Sequence, residues 1–384
     1  MISLGLKAAD QKTFHNLLVA SHRIEIMVHL MTLSHAKLAD ISDMFLDGQV
    51  SIDWSTDITR SANLTFLDPK SKMALDSTSP ADGAMFIDRM IQIYYIVTSP
   101  DQSFQVTVPV FCGPITKMDR DWKIVRIECM GKELLALDPV WNAKTYKKGA
   151  LKTSVIRDLL TIVGETKFSL KSSTSKLAKN LAVGNDAKPW AVARSIANTM
   201  NYQLFYDGRG ICVMRAYPTA PLWTFSEGSG GSILSKPQIG YDMSNTINSV
   251  IVKGATPKGK TSPITYRATA PKGHPLYPYS LGRGGKPRYI SVEINDSGIT
   301  SVSEARAVAT DRLNRGMYEY TTAAFDILPI PHLEPHDPYK ISTTEHSIST
   351  FIRQMTIPLV CDQSASLGYL RGQKPNATNI RKKR

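Results

Sequence analysis

The sequence predicts a mainly β chain carrying a small α/β insert. Three observations point there. Apolar and polar residues alternate in short runs from Arg23 to Cys129. Helical spacing replaces that alternation between Ser154 and Met200. Alternation then returns beyond Leu222.

The elements follow in order. Residues 10–20 (DQKTFHNLLVA) predict a short helix within an N-terminal segment 1–19. In Arg23 to Thr32, Ile24, Ile26, Val28 and Leu30 share one face, and Glu25, Met27 and His29 the other. Val50, Ile52 and Trp54 alternate with Ser51, Asp53 and Ser55, and Ala62, Leu64 and Phe66 with Asn63 and Thr65. Met90 to Val97, Phe104 to Phe111 and Trp122 to Cys129 continue the series. Turn pairs such as Asp47-Gly48, Asp68-Pro69 and Gly113-Pro114 separate the runs. Strands at this spacing predict one antiparallel barrel or sandwich over residues 20–145.

Residues 146–218 form the insert. Ser154 is placed to cap a helix bearing Val155, Ile156, Leu159, Leu160 and Val163, stopped at Gly164. A second helix starts near Pro189, after Asp186, and carries Trp190, Ala193, Ile196, Ala197 and Met200 at helical spacing. A hairpin then turns at Asp207-Gly208. Residues 219–362 read as a second β part, with strands at Ser249–Lys253, Arg288–Ile294, Thr322–Ile327, Tyr339–Thr343 and Ser349–Leu359. A helix inside it opens on a Ser301/Glu304 capping box and ends at Gly316. Residues 256–288 hold six prolines and five glycines and read as a long irregular excursion. Residues 363–384 read as a polar, basic tail.

The 384 residues suit two or three domains, and a 42% hydrophobic, 21% charged composition is that of a folded chain, not a disordered one. No apolar run near the N-terminus is long enough for a secretory segment. None elsewhere approaches the roughly 18 residues that span a bilayer. The chain is therefore expected to be made in a cytoplasm and to stay soluble or join an assembly. Cys112, Cys129, Cys212 and Cys361 form no CxxC pair and read as small buried apolar residues.

The net charge of +13 is concentrated in two acid-free segments. Residues 257–288 carry Lys258, Lys260, Arg267, Lys272, Arg283, Lys286 and Arg288. Residues 371–384 carry Arg371, Lys374, Arg381, Lys382, Lys383 and Arg384. The two together account for the whole excess, so the rest of the chain is neutral. A nucleic-acid-binding domain usually presents its basic residues as a face of the fold. A loop and a tail suit solvated segments or arms that dock onto an acidic partner.

No catalytic constellation stands out. GxSxG, HExxH, GxxxxGK[ST] and GxGxxG are all missing from the sequence. Gly282-Arg283-Gly284-Gly285 lacks the lysine and hydroxyl of a phosphate loop. His332, Glu334, His336 and Asp337 offer metal-ligand chemistry, but Pro331, Pro335 and Pro338 break any helix that would align them. The stretch reads as a polar turn between strands. Asp53, Asp57 and Asp68 read as acids flanking β-turns, and Trp54, Trp122, Trp190 and Trp223 as core. No cofactor is implied and no enzyme activity is expected.

Several of these segments resemble siphophage tail-tip, or baseplate-hub, proteins. Arg60-Ser61-Ala62-Asn63-Leu64-Thr65 is similar to an Arg-x-Ala-x-Leu-Thr pattern of their first domain. Asn248-Ser249-Val250-Ile251-Val252-Lys253-Gly254, the helix from Ala305 to Leu313, the strand Ala324-Phe325-Asp326 and the turn Pro331-His332-Leu333-Glu334-Pro335-His336-Asp337 resemble their second. The resemblance runs through residues 20–362 as an order of elements. It implies two tube-like antiparallel β-barrels flanking a small α/β domain, assembled as a homotrimer. Such a ring adapts a six-fold tail tube to a three-fold tip at the virion tail tip, after synthesis in a bacterial host cytoplasm. Implied partners are further copies of the chain, a distal tail protein, a tape-measure protein and other tip or spike proteins, with DNA passing through without specific binding. Three other readings compete. Another minor tail protein, such as a distal tail protein, is one. A basic nucleic-acid-binding protein would show strongly salt-dependent affinity for DNA. A cell-wall hydrolase would lyse peptidoglycan.

Overall fold

A computed structural model of the chain describes residues 1–69, 89–140, 143–177, 179–218, 220–243, 246–296, 298–318, 320–360 and 365–368. Helix α1 (Ala8–Leu18) precedes β1 (Arg23–Thr32), β2 (Lys37–Asp40), β3 (Phe45–Asp53), β4 (Arg60–Leu67), β5 (Arg89–Thr98), β6 (Gln105–Asp121) and β7 (Ile124–Met130). The middle supplies β8 (Lys144–Tyr146), α2 (Lys152–Thr161), β9 (Phe168–Leu170), β10 (Leu181–Val183), α3 (Pro189–Thr199), β11 (Tyr202–Tyr206) and β12 (Cys212–Ala216). The last part holds β13 (Trp223–Ser226), β14 (Gln238–Tyr241), β15 (Ser249–Lys253), β16 (Thr265–Thr269), β17 (Ser291–Asn295), α4 (Val302–Tyr318), β18 (Thr321–Ile327), β19 (Pro338–Ser342), β20 (Ser347–Phe351), β21 (Gln354–Pro358) and β22 (Ala365–Gly368). The fold is mainly β, and most strand pairs are antiparallel. Among the described residues, no helix is long and apolar enough to cross a membrane.

Strands from both ends of the chain join in one eleven-stranded sheet, ordered β14-β18-β22-β21-β3-β4-β7-β6-β5-β1-β2. The seam is β3 against β21, with Ile52 opposite Met355 and Val50 opposite Ile357. Side chains from both β parts also share one core, which unites Phe66, Tyr95 and Phe111 with Phe225, Leu333 and Tyr339. Seven of the ten residues of β5 are β-branched or aromatic, and the strand is buried on both faces, as suits one covered on each side. The middle part has its own core, in which Trp190 and Ile196 of α3 meet Ile156 and Leu160 of α2. A third core sits under α4, where Ala305, Ala309 and Leu313 pack on Val250 and Val252 of β15.

Several local expectations need correction. Ser154 does not cap α2, which starts at Lys152 with Leu151 before it and no side-chain cap. Gly164, at φ 87°, does follow that helix in the left-handed region. The Ser301/Glu304 box forms: Glu304 N–H donates to Ser301 Oγ at 3.1 Å, and Ser301 N–H to Glu304 Oε2 at 3.2 Å. Yet α4 runs through Gly316 to Tyr318. A Cβ at Gly316 would lie 2.0 Å from Ile247, so this glycine serves close packing and not helix termination. Trp122 is not core. It is 80% exposed at the β6–β7 turn, in the left-handed region at φ 53°. Trp190 and Trp223 are buried, and Trp54 is half-buried. The single strand expected over Ser349–Leu359 is two, β20 and β21. Ile352 and Arg353 separate them, and Ile352 N–H donates to Asp337 O. Cys112, Cys129 and Cys212 are buried as expected, while Cys361 lies outside the described residues.

The stretch from His332 to Asp337 is a polar turn between strands, β18 and β19, as the sequence predicts, but it is not on the surface. All four polar residues of this turn are buried, at 4% exposure or less. Glu334 pairs with Arg60 of β4, which is itself buried. The Arg60 guanidinium also donates to the carbonyls of Val110, at 2.9 Å, and Tyr206, at 3.4 Å. One side chain thus ties β4, β6, β11 and the turn. Asp337 accepts from Arg215 of β12 at 2.7 Å and from Glu334 N–H at 2.8 Å, and it pairs with the Met1 amine. The two histidines point apart. His332 stacks with His15 of α1 and lies against Phe14 and Trp223, whereas His336 stacks on Phe351 and lies against Trp54 and Tyr217. Asp68 is also buried, paired with Arg120 at 3.1 Å.

Two predictions follow from this junction. Arg60→Ala leaves Glu334 buried without its cation and should cost about 3–5 kcal/mol in urea unfolding. Replacing both partners by apolar residues (Arg60→Met with Glu334→Leu) should restore most of that loss. A double variant no more stable than Arg60→Ala would mean that the pair's charge is not the issue. The second concerns pH. Burial pushes the His332 imidazole down to about 3, and both its ring nitrogens lack a hydrogen-bond partner among the described residues. A histidine held neutral in the fold contributes stability that is complete above its unfolded value near 6.5. That stability is lost as pH falls towards the folded value, at roughly 1.4 kcal/mol per pH unit. Glu133 and Glu334, whose carboxyls burial raises, act in the opposite sense, so the comparison must be between variants. From pH 6 to 4.5, His332→Phe should lose less stability than wild type, by roughly that slope. Equal slopes would remove His332 from the account.

Candidate docking surface

The sheet of β16, β15 and β17, backed by α4, carries the basic excursion. Its central strand, SVIVK, has Val250 and Val252 inward and the β-branched character that favours a strand. Residues 256–288 are less irregular than their proline and glycine content suggests, because they contain β16, paired antiparallel to β15 from Thr265 opposite Lys253 to Thr269 opposite Ser249. β17 then pairs parallel to β15 on its other side.

One buried residue orders the rest. The Asn248 side chain is fully buried. Its amide donates to the carbonyls of Leu276, at 3.1 Å, and Arg288, at 2.9 Å, and its Oδ1 accepts from Ile290 N–H at 2.7 Å. Its backbone carbonyl accepts from Ala270 N–H. Both ends of the segment 270–290 are therefore pinned at one point. Leu276 is buried beneath it, and Arg288 N–H donates to Pro278 O at 2.9 Å. At Gly282-Arg283-Gly284-Gly285 the chain makes a turn in which Arg283 bridges to Lys286. A Cβ at Gly282 would sit 1.8 Å from Lys286 O.

All seven candidate cations of this region, Lys258, Lys260, Arg267, Lys272, Arg283, Lys286 and Arg288, are exposed. They do not form one cluster. Lys258 and Lys260 lie in the connection at the Lys253 end of β15. Lys272, Arg283, Lys286 and Arg288 lie in the connection at the opposite, Ser249 end. Arg267 lies between them on β16, with its guanidinium 3.7 Å from the Tyr289 ring centre and its Nε donating to Ser249 Oγ at 2.9 Å. Arg381, Lys382, Lys383 and Arg384 lie outside the described residues.

The sequence reading missed the aromatic residues on this surface. Tyr279 and Tyr289 are exposed among the arginines, and Tyr241 of β14, also exposed, stacks on Tyr320 at 5.4 Å. The YPYS and PRYI stretches carried that signal. Tyrosine and arginine together are the residues enriched at protein interfaces. Asn248 stood in the quoted pattern, but its role as an anchor depends on contacts up to 42 residues away.

No protein-family model matches the chain, and no curated protein matches it in sequence. Solved structures do match its fold. A tail protein from Neisseria meningitidis MC58 aligns over 89% of this chain and 95% of its own, at 12% identity and a TM-score of 0.57. The 43 kDa tail protein of prophage MuSo2 from Shewanella oneidensis aligns over 91% and 98%, at 10% identity and 0.57. The prophage tail protein gp18 from Listeria monocytogenes EGD-e aligns over 91% and 95%, at 10% identity and 0.50. The fold of this chain is thus shared with phage and prophage tail proteins along nearly its whole length.

Asn248→Ala removes three side-chain hydrogen bonds and leaves two carbonyls and one amide of the excursion without partners. It should cost about 3 kcal/mol and raise amide exchange at Ile290 and proteolysis across 271–289. Unchanged exchange there would show that the excursion is held by other contacts.

Proposed function

We propose that the chain is a structural subunit of a phage tail tip, of the baseplate-hub kind, working without catalysis. The observation that carries this reading is the end-to-end fold match to three tail proteins, with no large unmatched portion on either side. The subunit forms a closed ring of three copies. Its eleven-stranded sheet ends at β14 and β2, and ring closure is a way to cover such edges. The ring joins the tail tube to the tip, DNA passes through it, and its neighbours are a distal tail protein, a tape-measure protein and further tip or spike proteins. The exposed basic residues at the two ends of the β15 sheet, with the C-terminal tail, dock onto acidic surfaces of those neighbours. Bidentate arginine–carboxylate pairs and the interleaved tyrosines suit that task. They face away from the channel, since fixed cations along it would hold DNA by its phosphates.

Imaging of assembled tails should reveal a three-fold ring of this subunit at the tip. A monomer or dimer in intact tails would overturn the reading. In particles carrying glutamine at Lys258, Lys260, Arg283 and Arg288, or lacking residues 371–384, tip components should be lost while ejection from assembled particles stays normal. Normal assembly with blocked ejection would put the charge on the channel side.

A further inference from the structure

The three-stranded sheet of β16, β15 and β17 has two outer edges, and they differ. β17 faces α3 across a cavity lined by Glu293, Ile294, Arg194 and Asn198. Among the described residues, β16 has no strand beyond it. We propose that the outer edge of β16 is a strand-addition site, and that it takes an extended, acid-bearing segment of a second protein. The proposal rests on the reading of the basic residues as docking groups and adds the stretch of backbone that they flank.

The direction of each backbone group follows from β15. Ser249 N–H donates to Ile290 O, and Lys253 O accepts from Asp296 N–H, so both residues turn their backbone groups towards β17. Along a strand these groups alternate between the two edges. Ile251 therefore also faces β17, and Val250 and Val252 face β16. Gly254 continues the alternation, its N–H donating to Ile264 O at 2.7 Å. Ala268 stands opposite Val250 and Tyr266 opposite Val252, so these two residues of β16 bond inward. Thr265, Arg267 and Thr269 then point their N–H and C=O groups outward. All three residues are exposed, and among the described residues no partner meets those groups. Such a row of unpaired donors and acceptors is a template for another strand.

Charge and length choose the partner. Lys258 and Lys260 precede the strand, and Lys272 follows it, all exposed. Arg267 at its centre is held by Tyr289 and Ser249, so the charge presented to a partner is chiefly that of the lysines. Two copies of this chain meeting at this edge would bring like charges together, which disfavours self-pairing. A strand with carboxylates towards its ends meets the lysines instead. Pro263 and Pro271 bracket the edge. They limit the added strand to about seven residues, or roughly 24 Å. A nucleic acid has the charge but no backbone of alternating amides and carbonyls, so it cannot complete the edge. In strand addition those main-chain bonds supply the affinity.

The test uses the full chain at low salt and a short, end-capped peptide alternating glutamate and threonine, labelled for fluorescence anisotropy. Two further peptides of the same sequence carry N-methyl groups, one on its glutamates and the other on its threonines. Their charge is unchanged, but each lacks the N–H groups of one strand edge. The unmodified peptide should bind with saturation and slow amide exchange at Thr265, Arg267 and Thr269 at least tenfold. One N-methylated peptide should bind at least tenfold more weakly, and the other within twofold of the unmodified one. The combined variant Lys258→Gln, Lys260→Gln and Lys272→Gln should bind all three peptides at least fivefold more weakly. If the two N-methylated peptides bind alike while this variant binds weakly, charge docking stands and strand addition is overturned. If the variant binds as the wild type does, the docking reading of these lysines fails, and the proposal with it. No saturable binding of the unmodified peptide, protection at β14 or β2 in place of β16, or tighter binding of a single-stranded oligonucleotide than of the peptide would each overturn the proposal as well.

Discussion

Burial of the Arg60 guanidinium is the constraint around which the rest of the molecule is arranged. A cation taken out of water is tolerable only if its N–H groups all meet acceptors. Here those acceptors are Val110 O, Tyr206 O and Glu334, drawn from three different stretches of chain. None of those stretches can shift without stranding a charge. Asp337 repeats the device with Arg215. Two further buried pairs, Lys132 with Glu165 and Lys152 with Asp296, fasten the middle part to its surroundings in the same way. The apolar cores explain why each part folds. The buried charges explain why the parts hold one arrangement.

Much of the architecture was legible because periodicity is a local property. The alternation of Ile24 to Leu30 and the helical spacing of Trp190 to Ala197 need no knowledge of what lies opposite. Capping at Ser301 and Glu304 was legible for the same reason. What failed was non-local. The stretch from His332 to Asp337 reads correctly as a polar turn between strands, but its burial does not show, because its partners, Arg60 and Arg215, stand 274 and 122 residues away. Gly316 looks like a helix stop until Ile247 is seen against it. Trp122 reads as the first residue of a strand pattern, yet it lies at the turn before that strand, in the left-handed region, with its ring in solvent. Strand β16 was hidden by composition: prolines and glycines on either side masked the alternation in TYRAT.

The candidate sites divided along the same line. Exposed cations are visible in a sequence as an acid-free run, and the seven of residues 257–288 are indeed all on the surface. Their grouping was not visible, because β16 carries the chain from one end of β15 to the other between Lys260 and Lys272.

The seam between β3 and β21 sets a schedule for biosynthesis. Gln354 donates to Asp53 across a separation of 301 residues. At about 5–20 residues per second, a ribosome needs roughly 15–60 s to cover that interval. Throughout it, the nascent first part carries a finished strand with one unpaired edge, the arrangement most prone to capture by a neighbouring chain. Crowded polysomes making this protein at high level should therefore be its most aggregation-sensitive moment. The hazard ends only when Gln354 to Pro358 emerge and β21 closes the gap.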